Sequence, residues 1–231
     1  MRINKYIAKS GYTSRRKADE LINRGEVKIN GNILTKLGYD VGDNDVVSIN
    51  GEILKLEDYF YYKLNKPIGY ITSNFDPHNR KDLNNLMNIN EKFFAAGRLD
   101  KDSHGLLIIT NDGDFSNCLA HPSFKVEKEY IVRVTKLLTK QQCQEFKSGL
   151  YIGNGEFTNE SDLYFIGNNN YRVLISQGYN RQIRRMFDVF GSKVIDLKRV
   201  RIGSIKLTDL KLGNYQKFNK KDMEFVNLIK K

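Results

Sequence analysis

The residues best suited to chemistry lie in a loop that begins with glycine, Gly97-Arg98-Leu99-Asp100. An apolar run at residues 106–110 follows closely and predicts a buried central strand. A carboxylate beside an arginine, in a loop next to a buried strand, is typical of a cleft. Taken alone, such a segment is more often a polar loop that forms structural ion pairs. His104 is a weaker candidate for a general base, because a histidine in a loop is usually solvated.

Two further segments combine a regular element with aromatic or cationic side chains. Residues 129–134 alternate between polar and apolar positions, which predicts a half-buried strand. On the pattern alone, Tyr130 in this strand is more often a core aromatic residue than a functional one. Residues 181–190 predict a helix that Asn180 caps, and its arginines are candidates for phosphate contacts. These arginines are Arg181, Arg184 and Arg185.

The charge of the chain indicates a polyanionic partner. The net charge is +11, and nucleic acid is the commonest polyanion for a basic protein of this size. Residues 1–36 contain nine Lys/Arg against three Asp/Glu, and residues 181–206 contain eight against two. Two separate basic segments suggest two places where a phosphate backbone is held.

No pattern in the sequence indicates a metal site, a cofactor site or a membrane span. Cys118, Cys143 and the three histidines do not show the spacing of metal ligands or of a disulfide framework. No apolar run approaches the roughly 20 residues of a membrane helix, and the N-terminus lacks the apolar stretch of a signal peptide. We therefore expect a soluble, cytoplasmic protein with reduced thiols, no metal, no small-molecule cofactor and no membrane partner.

Residues 1–51 predict a small domain of two helices followed by β-hairpins. An apolar stripe at residues 3–7 predicts the first helix, and Ser14 is placed to cap the second. Strand-like segments precede Asn30-Gly31 and Asn50-Gly51, dipeptides that favour hairpin turns.

The second of these helices carries an unfavourable charge pattern. Its first turn is Arg15-Arg16-Lys17, and cations there oppose the helix dipole at a cost of a few tenths of a kcal/mol each. A surface that faces phosphate groups would explain this cost.

Residues 52–58 predict a linker, and residues 59–231 predict a larger, strand-rich domain. We expect an α+β fold with a mixed, largely antiparallel sheet, because strands are frequent and helices are inserted singly. The predicted strands are at residues 59–64, 106–110, 129–134, 171–176 and 193–207, and the predicted helices are at residues 139–147, 181–190 and 222–229.

Three motifs cover nearly all of residues 1–51: Arg2-Ile3-Asn4-Lys5-Tyr6, Gly11-Tyr12-Thr13-Ser14-Arg15-Arg16 and Gly25-Glu26-Val27-Lys28-Ile29-Asn30-Gly31. In this combination the segment resembles the RNA-binding domain named after ribosomal small-subunit protein S-four. The resemblance implies RNA rather than DNA as the partner, since a hairpin replaces the recognition helix of a DNA reader. The cations expected to contact RNA here are Arg15, Arg16, Lys17 and Lys28.

Four further motifs follow in order: Leu64-Asn65-Lys66-Pro67-Ile68-Gly69, Gly97-Arg98-Leu99-Asp100, Glu127-Lys128-Glu129-Tyr130 and Gly178-Tyr179-Asn180-Arg181-Gln182-Ile183-Arg184-Arg185. Over essentially its whole length the chain resembles the bacterial ribosomal pseudouridine synthases that carry an N-terminal domain of the type above. The resemblance implies an isomerase that turns uridine out of folded RNA and rejoins its base to the ribose through C5.

The same resemblance implies roles for individual residues. Asp100 occupies the catalytic position, either as nucleophile or as base. Tyr130 matches the aromatic residue that packs on the target base. Arg184 matches the cation that neutralises the catalytic carboxylate, with a phosphate contact as the alternative. Arg98 is expected to brace the gap left by the flipped base, and Arg181 is expected to bind phosphate together with Arg185.

The expected partner is ribosomal RNA, with the large-subunit subgroup of these enzymes favoured, and we expect a monomer. Two alternatives stay open: a small-subunit enzyme, and a ribosome-assembly factor in which catalysis is dispensable. A hydrolase that uses Asp100 with Asp102 is disfavoured, because no recognisable pattern positions the second acid.

Overall fold

The chain forms two compact units in a computed structural model that describes residues 1–73, 78 and 80–230. The first unit comprises residues 1–59 with residues 90–92, and the second comprises the rest of the described residues. Each unit has its own cluster of buried apolar side chains. The burial that stabilises one unit is therefore largely internal to it.

The first unit contains two helices and a small antiparallel sheet with the strand order β2-β1-β3-β4. The Ser14 hydroxyl accepts a hydrogen bond from the Lys17 N–H, which confirms the predicted cap. Asn30 and Gly31 have φ values of +51° and +84°, as a two-residue type I′ hairpin turn requires. The elements are α1 (Ile3–Lys9), α2 (Arg15–Asn23), β1 (Val27–Ile29), β2 (Asn32–Ile33), β3 (Val47–Ile49) and β4 (Glu52–Ile53).

The small sheet continues beyond residue 51. β4 pairs with β3 inside the segment expected to be a linker, and Leu54 behind it is buried in the core of the first unit. The Asn50-Gly51 turn therefore joins two paired strands, β3 before it and β4 after it.

The second unit is an α+β structure, which confirms the predicted fold class. Within the described residues its sheet follows the order β13-β5-β7-β11-β8-β10-β9, with β6 beside β7 and β12 beside β11. The pairing of β7 with β11 is parallel, and the other strand pairs described for this sheet are antiparallel. The strands are β5 (Tyr61–Lys66), β6 (Phe94–Ala96), β7 (His104–Thr110), β8 (Lys128–Val134), β9 (Asp162–Phe165), β10 (Asn170–Ile175), β11 (Val194–Ile202), β12 (Ile205–Lys206) and β13 (Tyr215–Lys217). The helices are α3 (Gly113–Ala120), α4 (Lys140–Ser148), α5 (Gln182–Asp188) and α6 (Lys220–Ile229).

Two local predictions for this unit were wrong. Residues 193–207 form two strands rather than one, because the chain reverses at Gly203 (φ +54°) and pairs Ile202 with Ile205. Asn180 does not cap α5. The residue before this helix is Arg181, in a left-handed conformation with φ +51°, and it forms no side-chain cap. The helix start is therefore set by backbone conformation and not by a capping side chain.

Strands β7 and β11 approach each other very closely at Gly105. This residue pairs with Arg199, and a Cβ atom at position 105 would overlap the Arg199 carbonyl oxygen. The φ of +105° also favours glycine. Glycine at this position thus permits the parallel pairing that draws Arg199 towards the start of β7.

Three properties of the described part of the chain concern membranes, metal ions and thiols. None of its helices has the length and apolar character needed to cross a membrane. Within the same residues, no three His, Cys, Asp or Glu side chains are grouped in a way that suits a metal ion. Cys118 and Cys143 are free, and burial raises the pKa of both thiols, which makes them weak nucleophiles near neutral pH.

Candidate active site

Asp100 lies in the loop between β6 and β7, and hydrogen bonds fix the backbone around it. The Thr72 hydroxyl accepts from the Leu99 N–H at 3.1 Å and donates to the Leu99 carbonyl at 2.6 Å. The Asp100 carbonyl accepts from the Ser103 N–H at 3.1 Å. The Asp100 side chain itself is 33% exposed. The carboxylate is therefore held on a fixed backbone and remains accessible to a ligand.

A cavity of about 390 Å³ opens beside Asp100. One face of the sheet supplies its floor, where Tyr130 of β8 lies directly opposite Arg199 of β11. Lys128 is two residues before Tyr130 and shares that face. Loop residues 96–100 and 178–183 form its other walls, together with the end of α3. The structure thus brings Asp100 and Tyr130 to one cavity with the volume of a small-molecule site.

Arg181 is the cation that lies against Asp100. Its Nη1 atom is 3.9 Å from an Asp100 carboxylate oxygen. The same guanidinium binds both carboxylate oxygens of Asp102, at 3.0 and 2.9 Å. Burial by itself raises the pKa of Asp102, but the hydrogen bonds from Arg181 and the charge of Arg184 bring that pKa below its ordinary value. Asp102 is thus an ionised anchor for the two arginines.

Arg184, the other arginine beside this loop, lies against Asp102. Its guanidinium is buried and lies against Asp102, with Nε 3.4 Å from the carboxylate and Nη2 2.8 Å from the Asp102 carbonyl oxygen. It also donates to the Ser103 hydroxyl at 3.3 Å and to the Val194 carbonyl at 3.1 Å. Arg184 therefore ties the loop after Asp100 to the start of β11, and the direct charge partner of Asp100 among the described residues is Arg181.

Two other predicted RNA contacts occupy contrasting positions. Arg98 is exposed and lines the cavity beside Asp100. Arg185 donates to the carbonyls of Ile152 and Gly153 at 2.9 Å each and pairs with Glu156 at 2.5 Å. Its guanidinium is thus engaged in holding the segment at residues 152–156. Arg98 is consequently the freer of the two to contact RNA.

Three cations at the site, two of them buried and one half-buried, were not among the sequence predictions. Lys66 is fully buried and donates to the Pro67 and Tyr70 carbonyls at 2.9 and 2.8 Å. Burial lowers its pKa to about 8, although the charges of Asp100 and Asp102 oppose that shift. Lys128 and Arg199 line the cavity floor. The sequence signal for Lys128 was its position two residues before Tyr130 on an alternating strand.

His104, the weaker sequence candidate, lies outside the residues that line the cavity. Its Nε2 atom is 3.0 Å from the Asp196 carboxylate, so it is part of a pair between β7 and β11. This position favours a structural role for His104.

The first unit presents its own group of cations. Arg15, Arg16 and Lys17 are exposed on the first turn of α2, and Lys28 is exposed on the outward face of β1. Ala18 and Ile22 on the inner side of α2 are fully buried. The helix is therefore held by its apolar side, which leaves the four cations available to a polyanion.

The small basic first unit and the cavity that holds Asp100 and Tyr130 agree with the class of RNA-modifying isomerase that the motifs suggested. The sequence pattern described as "RNA pseudouridylate synthase" matches residues 60–188, and that of the S4 domain matches residues 1–47. The chain belongs to the RNA pseudouridylate synthase family and is a pseudouridine synthase. The family resemblance noted from the motifs is thereby confirmed.

Individual relatives agree with this assignment. The chain is 36% identical over 219 residues to the ribosomal large subunit pseudouridine synthase B of Bacillus subtilis (strain 168). The aligned region covers 92% of this chain and 90% of the relative. It is 37% identical over 233 residues to the dual-specificity RNA pseudouridine synthase RluF of Escherichia coli (strain K12), covering 100% of this chain and 79% of the relative. A crystal structure of a pseudouridylate synthase superimposes with a TM-score of 0.73 at 29% identity, covering 98% of this chain and 99% of that one.

Proposed function

We propose that this protein converts selected uridines of ribosomal RNA, in the large subunit, to pseudouridine. The observation that carries the proposal is that Asp100 and Tyr130 line one cavity in a chain of this family. The choice of large-subunit RNA is supported by the name of the relative from Bacillus subtilis, which matches nearly the whole of this chain.

In the proposed reaction Asp100 acts at the junction of ribose and base. The backbone hydrogen bonds around it keep the carboxylate in place, and Arg181 supplies a positive charge 3.9 Å away. Tyr130 offers an aromatic face to the uracil, and such stacking contributes about 1–3 kcal/mol per base. This contribution offsets part of the few kcal/mol needed to turn a uridine out of folded RNA.

RNA binding is proposed to use the basic segment of the first unit and Arg98 beside the cavity. Arg15, Arg16, Lys17 and Lys28 would hold the RNA backbone at the first unit, while Arg98 contacts the RNA next to the flipped base. Holding the RNA at two units of one chain raises the effective concentration of the catalytic cavity near its target. We propose that the protein acts as a monomer in the cytoplasm, where its ribosomal substrate would be found.

The proposal is tested by mapping pseudouridine in total RNA from cells with and without the gene. Sites that vanish without the gene should return with the wild-type protein and not with Asp100→Asn, which keeps the side-chain shape but removes the carboxylate. The purified variant should bind RNA and melt as the wild type does, because the Asp100 side chain is partly exposed.

Each result has a distinct meaning. Sites that disappear from large-subunit RNA support the proposal in full, and sites in small-subunit RNA would move the target there. If the Asp100→Asn variant still forms pseudouridine well above background, the catalytic role proposed for Asp100 is wrong. Total RNA is needed because one relative is named as a dual-specificity enzyme.

A further inference from the structure

Two cations, Lys128 and Arg199, lie on the floor of the cavity. Arg199 is 2% exposed, and Lys128 is half-buried two residues before Tyr130. The hydrogen bonds described for both side chains go to backbone carbonyls and to no carboxylate. Buried charges in proteins are normally paired with an opposite charge, so this arrangement indicates a negatively charged ligand group.

Both cations retain hydrogen-bond donors. The Lys128 ammonium has three N–H groups, and it donates to the Val126 carbonyl at 3.1 Å and, more weakly, to the Ser176 carbonyl at 3.5 Å. Arg199 donates from Nε to the Leu106 carbonyl at 2.7 Å and from Nη1 to the Arg98 carbonyl at 3.2 Å. Its Nη2 atom is buried and has no partner within the described residues. An acceptor on a ligand would satisfy the remaining donors.

The electrostatics agree with this interpretation. Burial, and then the charge of Arg199, lower the pKa of Lys128 to about 8. The two like charges are thus held close enough to affect each other. A negative group bound between them would relieve both the repulsion and the cost of burial.

The position of the pair identifies which part of a nucleotide it meets. Arg199 lies directly across from Tyr130 in the antiparallel pair β8–β11, and Lys128 precedes Tyr130 by two residues on the same face. Under the proposed function Tyr130 carries the uracil ring. The two cations therefore flank the ring on which the base lies.

We propose that Lys128 and Arg199 hold the detached uracil as an anion between its two bonds to the ribose, which makes Lys128 a further catalytic residue. This inference rests on the proposed function. When the N1–C1′ bond breaks, its electron pair stays on N1 and spreads to O2 and O4, so the base leaves with a charge of −1. Asp100 neutralises the ribose cation in one of two ways. Its carboxylate either forms a bond to C1′ or accepts the proton that C2′ loses.

The second half of the reaction restores the balance. Electrons of the uracil ring form the C5–C1′ bond, and Asp100 gives back what it took, either the bond to C1′ or the C2′ proton. C5 then loses its proton and N1 gains one. The product is therefore an isomer of the substrate, and the negative charge exists only while the base is free.

The test compares Lys128→Met with Arg133→Met, a matched loss of one cation from the exposed, opposite face of the same strand. Single-turnover rates are measured at saturating RNA, and RNA affinity is measured separately. We expect Lys128→Met to slow the reaction about 100-fold, as loss of one charge-stabilising donor does, with RNA affinity close to wild type. Arg133→Met should react at the wild-type rate.

A pH profile of Lys128→Arg separates a catalytic charge from a structural one. Arginine stays protonated, so the rate of this variant relative to wild type should rise as pH increases through about 8, where Lys128 loses its proton. Besides Lys128, the charged and titratable groups around the cavity are Arg199 on β11, Tyr130 on β8, Lys66 on β5, and Arg98, Asp100, Tyr179 and Arg181 from the loops. The pKa of Lys66 is also about 8, but Lys66 is present in both proteins and cancels in the ratio.

Several outcomes would overturn the inference. These are a wild-type rate for Lys128→Met, a loss confined to RNA affinity, or a Lys128→Arg to wild-type ratio that does not change with pH. If Lys128→Met does not fold, the pH dependence of the Lys128→Arg to wild-type rate ratio decides whether the inference holds. Wild-type protein that forms no pseudouridine would overturn the proposed function as well, whereas an active wild type with an equally fast Lys128→Met overturns this inference alone.

Discussion

At the scale of single residues, Asp100 and Asp102 show how two neighbouring carboxylates acquire different tasks. Asp102 receives two hydrogen bonds from Arg181 and an ion pair from Arg184, whereas Asp100 has Arg181 at 3.9 Å and faces the cavity. The motif that identified the site ends at Asp100. Asp102 binds both arginines and so helps to hold them beside the loop that contains Asp100.

Arg184→Met tests this arrangement. The variant loses hydrogen bonds to the Asp102 carbonyl, to Ser103 and to Val194, so the loop after Asp100 should shift. We expect the single-turnover rate to fall by about 10- to 100-fold, since small displacements of catalytic groups have effects of that size. RNA affinity, measured by a gel-shift titration, should change little. Normal turnover at saturating RNA with much weaker binding would instead make Arg184 a phosphate contact.

The same variant has a predicted pH signature. The folded-state pKa of Asp102 is lowered, so its interactions stabilise the protein above the unfolded-state pKa of about 3.9 and are lost as pH falls through the folded value. Without Arg184 the pKa should move upwards. The difference in melting temperature between wild type and variant should therefore narrow as pH is lowered from about 5 to about 3. A difference that is constant with pH would mean that Arg184 stabilises the loop only through its uncharged contacts.

At the scale of elements, α2 keeps its fold in spite of its charges. Its first turn has no acidic residue and carries three exposed cations, an arrangement that the helix dipole disfavours. The Ser14 cap and the buried side chains of Ala18 and Ile22 compensate. The cations thus cost stability locally, which is consistent with a binding role.

Replacing Arg15 and Arg16 by Gln should therefore have two opposite effects. RNA binding should weaken, and the slope of log affinity against log salt should decrease by about one unit for each phosphate group that is no longer bound. The melting temperature should rise slightly, because about 0.3–1 kcal/mol of unfavourable dipole energy is relieved for each cation. The matched control is Lys220→Gln with Lys221→Gln, also two exposed cations in the first turn of a helix. An unchanged salt slope in the Arg15/Arg16 variant would show that these charges face only solvent.

At the scale of the whole molecule, each unit is stabilised from within. In the second unit a buried ion pair joins the sheet to the C-terminal helix. Lys63 of β5 and Asp222 of α6 are 2.9 Å apart, with side chains 1% and 6% exposed. Asp222 also accepts from the Asn219 N–H at 3.0 Å within the capping box of α6. The pair therefore fixes the start of α6 against the sheet.

Lys63→Met should leave Asp222 as an unpaired buried charge. We expect a loss of about 3–5 kcal/mol in the free energy of unfolding, measured by urea titration. Neither residue lines the cavity beside Asp100, so the folded variant should keep its turnover. Lys217→Met, an exposed lysine on β13, is the control and should change stability by less than about 0.5 kcal/mol. A loss below about 1 kcal/mol for Lys63→Met would mean that water or another cation replaces the lysine.

Features set by local interactions were accessible from the sequence alone. The Ser14 cap, the Asn30-Gly31 turn and the strand at β7 depend on neighbouring residues, and all three are present. The order of the motifs around Asp100 and Tyr130 identified the family, because a chemical task restricts residue types at those positions wherever the chain places them. These residues could be named without knowing how the strands pair.

Tertiary structure decided which side chains meet. Lys128 and Arg199 are neighbours because β8 and β11 pair in a register that sets Tyr130 opposite Arg199, and that register depends on the whole sheet. Arg181 has a left-handed backbone conformation and lies 3.9 Å from Asp100, whereas Arg184 of the following helix lies against Asp102. Distances across strands and the burial of charges are properties of the folded chain. The side chains that surround Asp100 and Tyr130 could therefore be assigned only from the structure.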